Sequence, residues 1–191
     1  SATTQVSSAG GDISITGTTA GGGTAGDGVE IEAGLTEAIQ ATNGASITIT
    51  GTGDGADSGV QIDSPITSAT GDVTIQSDDG DSATDNIDYG PAGDITSTSG
   101  TVTIDGDNAG NTANVNMVDG TLIDAGSGII DVDADVNVTL GGLQTSGNVN
   151  VTAGSGSIMD GGDAHDDIAG GTATLDAAMG IGDGGALETA I

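Results

Sequence analysis

The sequence predicts an all-β chain, a right-handed parallel β-helix of about seven coils with three short strands in each. Three observations carry this reading. A short motif recurs: glycine or a small polar residue, then aliphatic, polar, aliphatic, best written in Gly71-Asp72-Val73-Thr74-Ile75. Its copies begin at Ile13, Ile47, Val73, Val102, Ile130, Val149 and Ala173, 19 to 34 residues apart, which falls in the range of solenoid repeats. Between copies lie two further short apolar stretches, and the last of them runs into a glycine.

The first strand of each coil follows from period-two alternation, which sends aliphatic residues to one face and Ser, Thr, Asn or Asp to the other. Ile49, Ile75 and Ile104 are then expected to stack on one inner face. Middle strands are expected at Val29/Ile31, Val60/Ile62, Ile87/Tyr89, Val115/Met117, Val138/Leu140, Ile158 and Met179/Ile181. Third strands are expected at Val6, Ile39, Ile66, Ile95, Ile123, Leu143, Ile168 and Leu187. Gly10, Gly44, Gly71, Gly100, Gly128 and Gly147 close the third stretches, which predicts tight corners with positive φ. Gly- and Asp-rich insertions at residues 19–28, 51–59, 77–86, 106–112 and 160–167 are expected to leave the rod as loops. Residues 30–39 come nearest to a helical pattern, but Gly34 and the β-branched neighbours argue against one. Right-handedness follows from the preference of parallel crossovers. The first residues read as mid-repeat, so residues 1–191 are expected to be one β-helical segment of a longer chain or fibre, with coils continuing end to end or self-associating.

Composition bounds the partners. The chain of 191 residues has 29 Asp and Glu, no Lys or Arg, and a formal net charge of −29. Nucleic acid and anionic membranes both require cationic groups, so neither is a partner. No apolar run has the length of a membrane span. An acidic, Gly-rich disordered linker is the competing interpretation, but a disordered chain has no reason to keep aliphatic residues in register.

The repeated Gly-[Asp/Asn/Ser/Thr]-[Ile/Val]-[Thr/Ser/Asn]-[Ile/Val/Leu] copies, joined by segments such as Ile66-Thr67-Ser68-Ala69-Thr70-Gly71, resemble the β-strand-repeat shafts of filamentous-haemagglutinin-type bacterial surface proteins. Those are large secreted adhesins built on parallel β-helices. The resemblance spans nearly the whole chain and implies an extracellular, cell-surface shaft, with surface glycans as a further class of partner. Such shafts usually carry some Lys or Arg, and this chain has none. Shaft repeats have no defined binding site, so no site residue carries over.

Paired carboxylates raise the possibility of polysaccharide cleavage, but no cationic residue is present to position an anionic sugar, and the reading is non-enzymatic. His165 is expected to be a solvated loop residue. Cation binding is better supported, because hard carboxylate oxygens on glycine-rich loops suit Ca2+. The candidate ligands are Asp27, in the nonapeptide-like segment Gly22 to Glu30; the cluster Asp78, Asp79, Asp81 and Asp85, with Asp88 nearby; and Asp131, Asp133 and Asp135, whose alternation points them to one face. Neighbouring carboxylates at strand spacing repel by about 0.6 kcal/mol in water, which bound ions relieve. The polar column Ser14, Thr48, Thr74, Thr103, Asp131, Asn150 and Thr174 suggests an alternative, a carbohydrate- or ice-binding solenoid face. The function expected from the sequence is a non-enzymatic extracellular shaft or fibre segment stabilised by Ca2+ on acidic loops.

Overall fold

The computed structural model describes residues 5–19, 26–53, 57–77, 86–106, 112–162, 164–183 and 185–191. Among them there is no helix, and the strands form three parallel sheets. Sheet A stacks Val6–Ser8, Ile39–Ala41, Ile66–Ser68, Ile95–Ser97, Ile123–Asp124, Leu143–Gln144, Ile168–Ala169 and Thr189–Ala190. Sheet B stacks Ile13–Thr18, Ile47–Thr52, Val73–Ser77, Val102–Gly106, Ile130–Ala134, Asn148–Ala153 and Thr172–Ala177. Sheet C stacks Val29–Ile31, Val60–Ile62, Ile87–Tyr89, Val115–Met117, Val138–Leu140, Ser157–Asp160 and Gly180–Ile181. The chain visits A, B and C in turn and begins again, so every strand pairs with its counterpart one coil away. This is a parallel β-helix of about seven coils.

Register follows the aliphatic pattern. Ile13, Ile47, Val73, Val102, Ile130, Val149 and Ala173 are successive partners along sheet B. Ile49, Ile75 and Ile104 stack beside them, each with no exposed surface. A slip of one residue would turn this whole column into water, so the alternation alone pins the pairing. The core is thinner at its last coil, where Ala173, Leu175 and Ala177 are only partly buried. Sheet A departs from expectation there: Ile168 pairs with Thr189, and Leu187 packs against the core just before the strand. A shift of two residues keeps Leu187 on an inner face, and period-two alternation cannot detect it. Tyr89 is buried between its sheet C neighbours Ile62 and Met117, and its hydroxyl has no partner among the described residues. Burial keeps that phenol well above its usual range.

The corner from sheet A to sheet B explains the Ser-x-x-Gly signature. Ser68 Oγ accepts the Gly71 N–H at 3.0 Å and donates to the Ala45 carbonyl of the preceding coil at 3.1 Å. Ser97 repeats this with Gly100 at 2.9 Å and the Gly71 carbonyl at 3.1 Å. The glycine is needed for space, and the expected positive φ is found in this set only at Gly44, with φ +80°. A Cβ on Gly71, Gly100, Gly128 or Gly147 would lie 2.0–2.2 Å from a carbonyl oxygen of the preceding coil. Bare backbone therefore lets the corners stack at strand spacing.

The corner from sheet B to sheet C carries the first four insertions, parts of which lie outside the described residues, whereas residues 160–167 lie between sheet C and sheet A. The first two are closed at their base by glycine pairs: a Cβ on Gly17 or Gly51 would sit 1.9 Å from the carbonyl oxygen of Gly28 or Gly59. The bases of these two insertions are thus held together beside the stacked strands.

Candidate functional site

Most polar side chains at the corners have a structural task. The residue just before a strand uses its side-chain oxygen to accept the N–H of its counterpart in the next coil. Asp12 does so for Ser46 at 2.9 Å, Asp72 for Thr101 at 2.8 Å, and Asp94 for Leu122 at 2.9 Å. On the way into sheet C an amide ladder forms. Asn114 donates through its backbone N–H and Nδ2 to Asn86 Oδ1, and Asn137 donates in the same way to Asn114 Oδ1. Asn137 Oδ1 then accepts the Ser157 N–H at 2.9 Å, so the amide of the Asn137-Val138-Thr139 sequon is engaged within the rod.

The carboxylates expected to hold a cation are scattered by this frame. Asp27 Oδ1 accepts the Ser58 N–H at 3.0 Å, one more rung between coils. Asp88 accepts from Asn116 Nδ2 at 2.7 Å and from the Ser58 hydroxyl. Asp131 and Asp133 lie on the outer face of one sheet B strand, while Asp135 follows that strand in a bend. Asp133 pairs with Asp105 and Thr152, so two carboxylates are neighbours within one column of this face. Asp78, Asp79, Asp81 and Asp85 lie outside the described residues. The outer Thr column is in register, but its companion column on the same face runs Thr16, Thr50, Gln76, Asp105, Asp133, Thr152 and Asp176. It carries Asp in the fourth, fifth and seventh coils, which breaks the flat uncharged array that ice binding needs.

A different set of carboxylates converges at the corner from sheet C to sheet A in the last two coils. Asp160 ends a sheet C strand, Asp167 immediately precedes Ile168–Ala169, and Glu188 immediately precedes Thr189–Ala190. One oxygen from each lies within 4.8 Å of the others. Asp167 and Glu188 occupy equivalent positions one coil apart: Asp167 Oδ2 accepts the Glu188 N–H at 2.8 Å. Asp160 Oδ1 accepts the Gly162 N–H at 2.7 Å, which folds the chain back at the strand end. Gly185 lies against the other oxygen of Asp160, where a Cβ would come within 2.1 Å. Asp167 has no exposed surface, and its Oδ1, like Glu188 Oε2, is buried without a hydrogen-bond donor. A cavity of about 400 Å³ opens beside the cluster, lined by Leu122, Gln144, His165, Asp166 and Glu188 among others. His165 itself is exposed, as expected of a loop residue.

Burial raises the Asp167 carboxyl to about 7; the Glu188 backbone N–H works against this, while the charge of Asp160, a hydrogen bond with the Glu188 side chain and that side chain's charge add to it. The group is raised above its unfolded value of 3.8, so the folded chain binds more protons than the unfolded one between about pH 4 and 7. Stability from this group is therefore present at the acid end and falls as pH rises through that window. In chelator, hydrogen exchange at Ile168 and Thr189, corrected for intrinsic rates, should accelerate from pH 5 to 8, and Asp167→Asn should flatten the profile. An unchanged profile in that variant would place the pH response elsewhere.

Asp160 and Asp167 fall in the stretch 160–167 that the sequence predicts as a loop, and neither they nor Glu188 are among the carboxylates it singles out. A signal was present in the recurrence of an acidic residue directly before a sheet A aliphatic, in Asp94-Ile95 and Asp167-Ile168. Comparison of the chain with protein-family models, curated proteins and solved structures finds no match.

Proposed function

We propose that this chain is a non-enzymatic, extracellular shaft or fibre segment, of the kind its repeats resemble in filamentous-haemagglutinin-type surface proteins. It acts by stacking coil on coil, spacing a cell-surface structure, with bound cations offsetting its acidic repulsion. The observation that supports this reading most is the state of the two ends. The outermost strands of all three sheets pair on one side only. Apolar side chains stand open there: Val6 is 41% exposed at one end, and Met179 and Ile181 are 80% and 51% exposed at the other. Unpaired edges over an apolar interior are a template for another coil. In this reading a second copy of the chain can supply that coil.

Two rods of charge −29 repel, so association should strengthen as salt screens them. Sedimentation across a sodium chloride series should show end-to-end species growing with ionic strength. A monodisperse monomer at every ionic strength, with the end coils protected from hydrogen exchange, would overturn the stacking reading.

A further inference from the structure

We propose that Asp160, Asp167 and Glu188 form a divalent-cation site, selective for Ca2+ over Mg2+, that clamps the last two coils of the rod together. This deepens the cation-binding part of the function proposed above and does not depend on end-to-end stacking.

The argument begins with two orphaned atoms. Asp167 Oδ1 and Glu188 Oε2 are both buried and have no donor among the described residues, so only a proton shared between the two carboxyls or a cation can relieve them. A buried carboxylate oxygen without a partner is costly unless a positive charge lies beside it. This chain cannot supply that charge from its own long side chains, because it contains no Lys or Arg, and His165, its one histidine, is exposed. Elsewhere along the rod the equivalent position is relieved without charge crowding. Asp94 caps Leu122, an apolar residue in the next coil, and that column continues through Gly142 before it reaches Asp167. Only in the last two coils do two acidic residues follow one another in this column. There a third, Asp160, is brought over from sheet C. Three carboxylates directed at one point are the arrangement a capping role would avoid and a cation would require.

Ligand chemistry and size select the ion. The donors are all hard carboxylate oxygens with no sulfur, which suits Ca2+ or Mg2+ over transition metals. Three oxygens within 4.8 Å of one another can all be reached by one ion at a Ca–O distance of about 2.4 Å. Mg2+ demands a near-ideal octahedron at about 2.1 Å and gives up its water reluctantly, which three carboxylates fixed by two strand starts and a strand end do not favour. The adjoining cavity leaves room for the waters that complete a Ca2+ shell. Because Asp167 and Glu188 sit on successive coils, an ion held between them adds a link along the rod axis where the core is thinnest.

The whole chain, stripped with chelator and studied at pH 7.5 in 150 mM sodium chloride to suppress diffuse counterion binding, tests this. Calorimetric titration with Ca2+ alone should show one saturable high-affinity site, with Mg2+ at least about tenfold weaker. Ca2+ should slow hydrogen exchange at least about tenfold in residues 164–183 and 185–191, and leave the Ile47, Val73 and Val102 region unchanged. Asp167→Asn and, separately, Glu188→Gln should each abolish both effects, while Asp131→Asn should leave them intact. If Asp167→Asn does not fold, Glu188→Gln, on a half-buried residue, carries the decision. Ca2+ binding that is unsaturable, that slows exchange uniformly along the rod, or that survives both ligand variants would overturn the site. Loss of this site with salt-driven stacking retained would sink the cation clamp alone; a normal Ca2+ response in a permanent monomer would sink the stacking alone.

Discussion

Ile75→Asp should remove about 5 kcal/mol or more of stability and abolish the cooperative transition of the rod. Ile75 has no exposed surface and is held between Ile49 and Ile104 in the neighbouring coils. The substitution deletes a buried aliphatic side chain and places a carboxyl where no donor or cation can meet it, because the chain has no Lys or Arg. The adjacent Thr74 faces outward between Thr48 and Thr103, so Thr74→Asp should cost less than about 1 kcal/mol. Thermal and urea melts of the two variants check this directly. Equal melting of Ile75→Asp and the parent chain would mean that the coil register is not as described.

Gly100→Ala is the second change with a large expected effect. A Cβ there would stand 2.1 Å from the Gly71 carbonyl oxygen and 2.4 Å from its carbon, both backbone atoms of the preceding coil. Neither coil can yield without breaking ladder hydrogen bonds on either side, so a loss of about 3 kcal/mol is expected. Gly11 follows Ser8 as Gly100 follows Ser97, but a Cβ there would meet only Ser8 Oγ at 3.6 Å, and Gly11→Ala should be neutral to within about 0.5 kcal/mol. This pair separates crowding from backbone conformation, since neither glycine has positive φ. Similar melting of both variants would return the corner glycines to a conformational explanation.

These substitutions also mark how far local reading of the chain extends. Val73 and Ile75 announce an inward face because alternation has only two phases, and one of them is apolar. Gly100 announces a corner, but a sequence does not say which atom of another coil will press against it. The expectation of positive φ failed at Gly71, Gly100, Gly128 and Gly147 for that reason: the crowding comes from a carbonyl 19 to 29 residues earlier in the chain. Leu187 failed differently. It lies on the correct face, but the strand starts two residues later at Thr189, and a shift by one full period of the pleat leaves no trace in the alternation.

The sequence by itself determined the parallel β-helix, its three sheets and, except at Leu187, the partners within each inner column. These depend on period-two alternation repeated at long intervals, and both are properties of the linear chain. The tertiary structure decided which carboxylates meet. Asp131, Asp133 and Asp135 looked like a ligand set because they alternate, yet alternation along one strand holds successive carboxylates about 6.8 Å apart. Asp160, Asp167 and Glu188 look unrelated in sequence, but one turn of the helix and one corner bring their oxygens within 4.8 Å. Distance along the rod axis is set by coil stacking, at about 4.8 Å per coil whatever the loop length between. Convergence across coils is therefore invisible until the length of every corner is known.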